Sequence, residues 1–236
     1  MNQKYHYQIL ATMANRIDPV GAGTLSKELR LKEINLSEAT VGRILSEMDE
    51  QGLTIKVGYQ GRRLTDQGGI HLRNLKKEKN RHMQSRELLS LLQEKGHDNL
   101  LELLVARRAI ERELARLAAL NATDEEIAEL SRITKLQEER YGQVGTSPEE
   151  DVKFHRYIAQ AAKNKVLQAA MELIRENGQL SPVLEYIRTE VRSVIAIDHK
   201  QIIEAIVKRD PDAADQAMVR HIENLMADVE KYYHKA

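Results

Sequence analysis

"SEATVGRILSEMDEQGLTIKVGYQGRRLTDQG", residues 37–68, changes its apolar period halfway along. The first half sets Val41, Ile44, Leu45 and Met48 three and four residues apart, which is the stripe of an amphipathic helix. Ser37 supplies an N-cap oxygen and Gly52 a stop. Beyond Gly52, "LTIKV", the turn "GYQG" and "RRLTDQG" read as two short β runs around a glycine-flanked turn, a hairpin. Upstream, "KYHYQILATMAN" (4–15) has Tyr5, Ile9, Leu10 and Met13 at helical spacing. "DPVGAG" (18–23) breaks that helix, and "TLSKELRLK" (24–32) is a second short one. Three helices and a hairpin, in that order, make a winged helix-turn-helix. Its third helix lies in a DNA major groove and its hairpin touches the backbone.

Ser37, Glu38, Thr40, Arg43 and Ser46 fall away from the apolar stripe of the third helix. Arg43 suits a guanine edge or a phosphate, and Thr40 a phosphate or a thymine methyl. Lys56, Arg62 and Arg63 on the wing suit phosphates. The competing reading makes them solvated charges, or makes the wing a protein contact. The charge distribution favours DNA. The whole chain balances 36 basic against 36 acidic residues, but residues 1–82 hold seven Lys and seven Arg against nine acids. A basic head on an acidic body suits a head that meets phosphate.

Residues 37–68 also resemble winged-helix modules of the ribonuclease R N-terminal family and of some archaeal nitrogen regulators. In those the run "GLT-x-K-V-G-x-x-GRR-x-T-x-x-G" forms the wing. The "SR-x-PVREAL" helix of the usual GntR head is absent.

The chain has no cysteine, one Phe, no Trp and four Pro. Disulfides and thiolate metal sites are excluded, and the composition fits a mainly helical, cytoplasmic protein. No stretch approaches the roughly 20 apolar residues of a membrane span. The N-terminal residues lack the apolar core of a signal peptide. The predicted organisation is a winged-helix head over 1–70, a charged linker helix over 71–96 and an all-α bundle of six or seven helices over 97–236. The linker carries Lys76, Lys77, Lys79 and Arg81, read as a solvated face able to add phosphate contacts.

Within the bundle, "DNLLELLVARRAIERELARLAALNA" (98–122) is one helix, and Thr123 with Glu126 forms a capping box for the next, which runs to about Tyr141. "GQVGTSP" is a loop, and Pro148 opens the following helix. Helices are expected over about 150–162, 164–178, 182–194, 196–209 and 211–234. The breaks are "KNK", "NGQLSP", a weak one near Ile195, and "RDPDA".

In the stretch "EEDVKFHRYIAQAAKNKVL" (149–167), Asp151 stands four residues before His155, so the two share a helix face. A carboxylate oxygen and an imidazole nitrogen suit Zn²⁺, Ni²⁺ or a similar divalent ion. Two ligands are too few for tight binding. Of the other seven histidines, four lie in the head or linker and His234 lies at the chain's end. His199 and His221 remain, each beside an apolar stripe of its own helix. Taken singly, each reads as an ordinary core histidine.

Three segments then carry a family resemblance: "LLVARRAIERELARLAALNATDEEIAEL", "DVKFHRYIAQAAKNKVL" and "DHKQIIEAIVKRDPDAADQAMVRHIENL". Together they resemble the FadR C-terminal (FCD) ligand-binding domain of GntR-family transcription regulators, over about 140 residues. The resemblance implies one divalent metal held by Asp151, His155, His199 and His221. It also implies that Arg107 meets the carboxylate of a small organic-acid effector, and it places Asn164 at a family position. The alternatives are a surface Arg107–Glu111 pair and a helix cap at Asn164.

The resulting expectation is a homodimeric regulator. Its head binds double-stranded operator DNA, and its bundle holds the metal and the effector, with no membrane role. Two other readings stand beside it: a metal-dependent hydrolase using the same Asp/His site, and a regulator whose site is metal-free and only structural.

Overall fold

The computed structural model describes residues 5–141, 148–177, 180–193 and 196–234. The chain divides into two compact units between Glu87 and Leu88, inside the stretch expected to link head and bundle.

The first unit contains α1 (His6–Ala14), α2 (Ala22–Arg30), α3 (Glu38–Glu50), β1 (Thr54–Val57) and β2 (Gly61–Leu64). It also contains most of α4 (Asp66–Gln93). Ser37 caps α3 by accepting from the Thr40 amide at 3.1 Å. Gly52, at φ 70°, ends the helix, and the Leu53 amide turns back to the Met48 carbonyl at 2.9 Å. The predicted stripe of α3 is fully buried against Ile9, Leu10, Leu25 and Leu29 of α1 and α2. Each such side chain contributes about 2 kcal/mol relative to leaving it in water.

The wing is antiparallel, pairing Thr54 with Leu64, Ile55 with Arg63 and Lys56 with Arg62. Val20, just before α2, adds a bridge to Arg62 through two 2.9 Å backbone hydrogen bonds. Gly61 is required at this junction. It has φ +119°, and a Cβ there would lie 2.4 Å from the Val20 carbonyl carbon. The winged helix-turn-helix expected from the period switch is therefore the observed fold, with α4 leaving directly from the wing.

The second unit holds α5 (His97–Asn121), α6 (Asp124–Tyr141), α7 (Pro148–Ala161), α8 (Lys165–Asn177), α9 (Leu180–Val191), α10 (Ala196–Val207) and α11 (Pro211–Tyr233). Among the described residues it contains no strand. The capping box forms as expected: the Glu126 amide donates to Thr123 Oγ1, and the Thr123 amide donates to Glu126 Oε2. Asp210 caps α11 ahead of Pro211. The loop expected at "GQVGTSP" and the breaks at "NGQLSP" and near Ile195 fall wholly or partly outside the described residues. Helix α5 packs most extensively on α11. Helices α7, α8 and α10 also pack against α5, and α10 packs on α6 and α11 as well. This arrangement aims one face each of α5, α7, α10 and α11 into a shared interior.

Candidate metal centre

Asp151 and His155 lie one turn apart on α7, His199 on α10 and His221 on α11. All four are buried, and one ligand atom from each lies within 4.8 Å of the others. Asp151 Oδ1 is 3.5 Å from His155 Nε2 and 3.6 Å from His199 Nε2. Donors around a tetrahedral ion with bonds of about 2.1 Å stand about 3.4 Å apart, so this spacing suits a shared divalent cation. Phe154 stacks on the His199 ring at 3.9 Å between centroids and fixes its plane.

The outer faces of two histidines meet carboxylates. His155 Nδ1 contacts a Glu111 oxygen, and His221 Nδ1 lies 3.6 Å from Asp198 Oδ2. Asp198 is itself held by Asn224 Nδ2, 3.0 Å from each carboxylate oxygen. A carboxylate on Nδ1 sets the tautomer that leaves Nε2 bare to ligate. Neither ring nitrogen of His155 or of His221 completes a hydrogen bond here, so Nε2 of each is open to a ligand while Nδ1 faces a carboxylate.

The protonation states agree. Burial pushes His199 well below the ordinary histidine range, with His221 adding to the effect. Burial likewise lowers His221 to about 4, against the opposing pull of Asp198. Both imidazoles are therefore neutral near pH 7, the form that binds metals. Burial alone would raise Asp151, but Arg175, His155 and Arg188 outweigh it and hold the carboxyl well below its usual range. Glu111 behaves the same way under Arg107, His155 and Arg175. The donor set, its spacing and its neighbours all fit a divalent ion.

Arg107 is only 2 % exposed and donates from Nε to Glu111 Oε1 at 2.6 Å. The pair with Glu111 weighed as the alternative exists, but not on the surface: both partners lie on the buried stripe of α5 with Leu104, Leu114 and Ala118. Arg107 Nη2 has no hydrogen-bond partner, so a donor remains available inside the bundle. Asn164 acts as the cap of α8, its Oδ1 accepting from the amides of Val166 and Leu167 at 3.2 Å.

Two residues of the cluster escaped sequence reasoning, Arg175 and Arg188, and Glu111 was read only as a surface partner of Arg107. Arg175 Nη2 donates to Asp151 Oδ2 at 2.5 Å, and Nη1 lies 3.5 Å from Glu111 Oε1. Arg188 is buried, and its charge acts on Asp151 and His221. A signal was present in each case. Arg175 follows Met171 by four residues and Arg188 follows Leu184 by four, so both sit on apolar stripes where a cation needs a partner.

In the head, Ser37, Arg43, Lys56 and Arg63 are exposed. Thr40 is half-buried, and its hydroxyl lies 2.8 Å from Ser37 Oγ. Arg62 differs from the expectation of a free wing cation. Its Nε donates to Asp49 Oδ2 at 2.7 Å and its Nη2 to Ser46 Oγ at 3.3 Å, so the guanidinium ties the wing to α3.

A winged-helix unit followed by an all-helical unit enclosing three histidines and an aspartate defines a class: a DNA-binding fold joined to a helical bundle with a buried Asp/His cluster. Residues 102–224 match the FCD domain and residues 7–72 the ribonuclease R winged-helix domain. The chain belongs to the FCD-domain family of GntR-type regulators, with a winged-helix N-terminal unit.

Among its relatives, the Uxu operon transcriptional regulator of Escherichia coli K12 is 35% identical over 134 residues, 52% of this chain and 51% of the relative. The Exu regulon transcriptional regulator of the same strain is 33% identical over 128 residues, 52% and 48% of the two chains. The transcriptional repressor NanR of Cronobacter sakazakii is 30% identical over 125 residues, 51% and 47%. The chain thus spans about half the length of the curated relatives it matches. Among solved structures, Streptococcus agalactiae GntR aligns with TM-score 0.49 and 19% identity, over 96% of this chain and 100% of that one. No helix among the described residues is long and apolar enough to cross a membrane.

Proposed function

We propose that this chain is a metal-containing, effector-responsive transcription regulator of the cytoplasm. The head binds double-stranded operator DNA as part of a homodimer. Thr40 and Arg43 on α3 address the groove, Ser37 stands at the start of that helix, and Lys56 and Arg63 on the wing address phosphates. The bundle holds one divalent metal, zinc or nickel, through Asp151, His155, His199 and His221. A small organic acid joins the site, its carboxylate met by the metal and by the open donor of Arg107, a guanidinium suited to carboxylates.

The observation that carries this reading is the convergence of four buried ligand atoms inside an FCD bundle that shares its chain with a winged helix. An effector need only bind two arrangements of the dimer unequally to change DNA affinity. The regulator names of the relatives support the same use, now carried to this chain as a proposal. Catalysis by the cluster has less support. A general base works best with a pKa near the operating pH, whereas Glu111 and Asp151 are both held well below the usual carboxylate range.

The test is binding of the full-length protein to DNA from upstream of its own gene. Tight, sequence-dependent binding that Arg43→Ala weakens tenfold or more supports the reading. Equal affinity for unrelated duplexes, unaffected by Arg43→Ala, contradicts it.

A further inference from the structure

Helix α4 continues past the head core, and its middle stretch faces solvent. Leu72 and Leu75 seat its first turns on the head core. Every residue from 76 to 88 is exposed. The stretch carries Arg73, Lys76, Lys77, Lys79, Arg81 and Arg86 against Glu78 and Glu87.

The spacing of these cations disfavours an isolated helix. Arg73–Lys77 and Lys77–Arg81 are like-charge pairs at i, i+4, and Arg73–Lys76 and Lys76–Lys79 are pairs at i, i+3. Only Arg81 has an acid three or four positions away, Glu78. Among the described residues no ion pair neutralises Arg73, Lys76, Lys77 or Arg81. Lys79 instead lies over the Tyr7 ring, 4.8 Å from its centroid. Helical geometry sets Arg73, Lys77 and Arg81 in one row, on the side of α4 opposite Leu72 and Leu75. A largely polar helix with a single attractive pair is poorly self-sufficient. Anions placed along it would remove the repulsion.

We infer that the exposed segment of α4 is a second nucleic-acid contact, in which the row Arg73, Lys77 and Arg81 neutralises backbone phosphates of the duplex bound by the head. The inference rests on the DNA-binding reading of the head. Continuity selects DNA as the partner. Helix α4 begins at Asp66, two residues after wing strand β2 ends at Leu64, so it leaves the wing directly. From Arg73 to Arg86 it spans about 20 Å, roughly six base pairs of phosphates. Such contacts carry no sequence information. They add affinity and salt dependence to whatever α3 reads.

The test uses the full-length protein and a mixed-sequence duplex of about 40 base pairs, with affinity measured by fluorescence anisotropy across a salt series. The triple variant Arg73→Gln, Lys77→Gln, Arg81→Gln alters only exposed side chains, and a matched thermal melt verifies its folding. The inference predicts that the slope of log affinity against log salt falls by about two to three, with at least a tenfold loss of affinity at low salt. An unchanged slope overturns it. Arg43→Ala, measured in parallel on the protein's own upstream DNA, separates the two readings. If Arg43→Ala weakens binding while the triple variant keeps its slope, the head reading stands and the α4 contact falls. If the wild-type protein binds neither duplex, both fall.

Discussion

Glu111 holds His155 by its Nδ1 while its other carboxylate oxygen accepts from Arg107 Nε at 2.6 Å. One buried acid on α5 therefore joins a candidate metal ligand to the candidate effector arginine. Whatever binds Arg107 competes for, or reinforces, the charge that orients His155. The two halves of the proposed sensor are physically continuous.

Glu111→Gln is the direct probe of that link. The amide cannot carry the negative charge that favours the Nε2-ligating tautomer of His155, so zinc affinity is expected to fall by about 10- to 100-fold. Arg107 and Arg175 lose a buried counter-charge, which costs about 3 to 5 kcal/mol of stability. Competition with a chromophoric chelator measures the first effect and thermal melting of the metal-free protein the second. Unchanged zinc affinity would remove Glu111 from the site.

The wing separates structural from DNA-facing cations. Arg62→Ala removes the tie to Asp49 and Ser46 and is expected to destabilise the head by about 1 to 3 kcal/mol. Arg63→Ala, at an exposed position, should change stability by less than about 0.5 kcal/mol while weakening DNA binding. Urea unfolding beside a DNA titration reads both. Equal stability losses in the two variants would contradict the division of roles.

Acidification should unfold the metal-free protein early. His221 is lowered to about 4 from 6.5, and His199 is lowered well below 6.5, so the unfolded chain binds more protons than the folded one between those values. Their contribution is fully present above pH 6.5 and is lost as pH falls toward 4. Asp151 and Glu111, held well below the usual carboxylate range, add a loss of the same sign at lower pH. Melting temperature recorded in chelator should decline steadily from pH 7 to pH 4.5. A flat profile would contradict the buried neutral histidines.

The head was legible because its signals are local. The stripe from Val41 to Met48, the Ser37 cap and the glycine-bounded hairpin each lie within a few residues of one another. The cluster was only partly legible. Asp151 and His155 share a turn, so their pairing could be read directly, but His199 and His221 join them through helix packing that no local period encodes. Arg175 and Arg188 were passed over, and Glu111 was read as a surface partner of Arg107, because long charged side chains usually reach water. Here each sits on a buried stripe, and its charge is met only after the chain folds. Arg62 shows the reverse case, a surface-type residue drawn into the fold by Asp49 across α3 and the wing.

Metal content of the purified protein tests the central claim most directly. After expression and extensive dialysis, elemental analysis is expected to find about one zinc or nickel ion per chain, tied to Asp151, His155, His199 and His221. His199→Ala and His221→Ala should each reduce the bound metal to a small fraction while leaving the helical content intact. Wild-type protein that neither retains nor takes up a divalent ion, or variants that hold as much metal as the parent, would contradict the account.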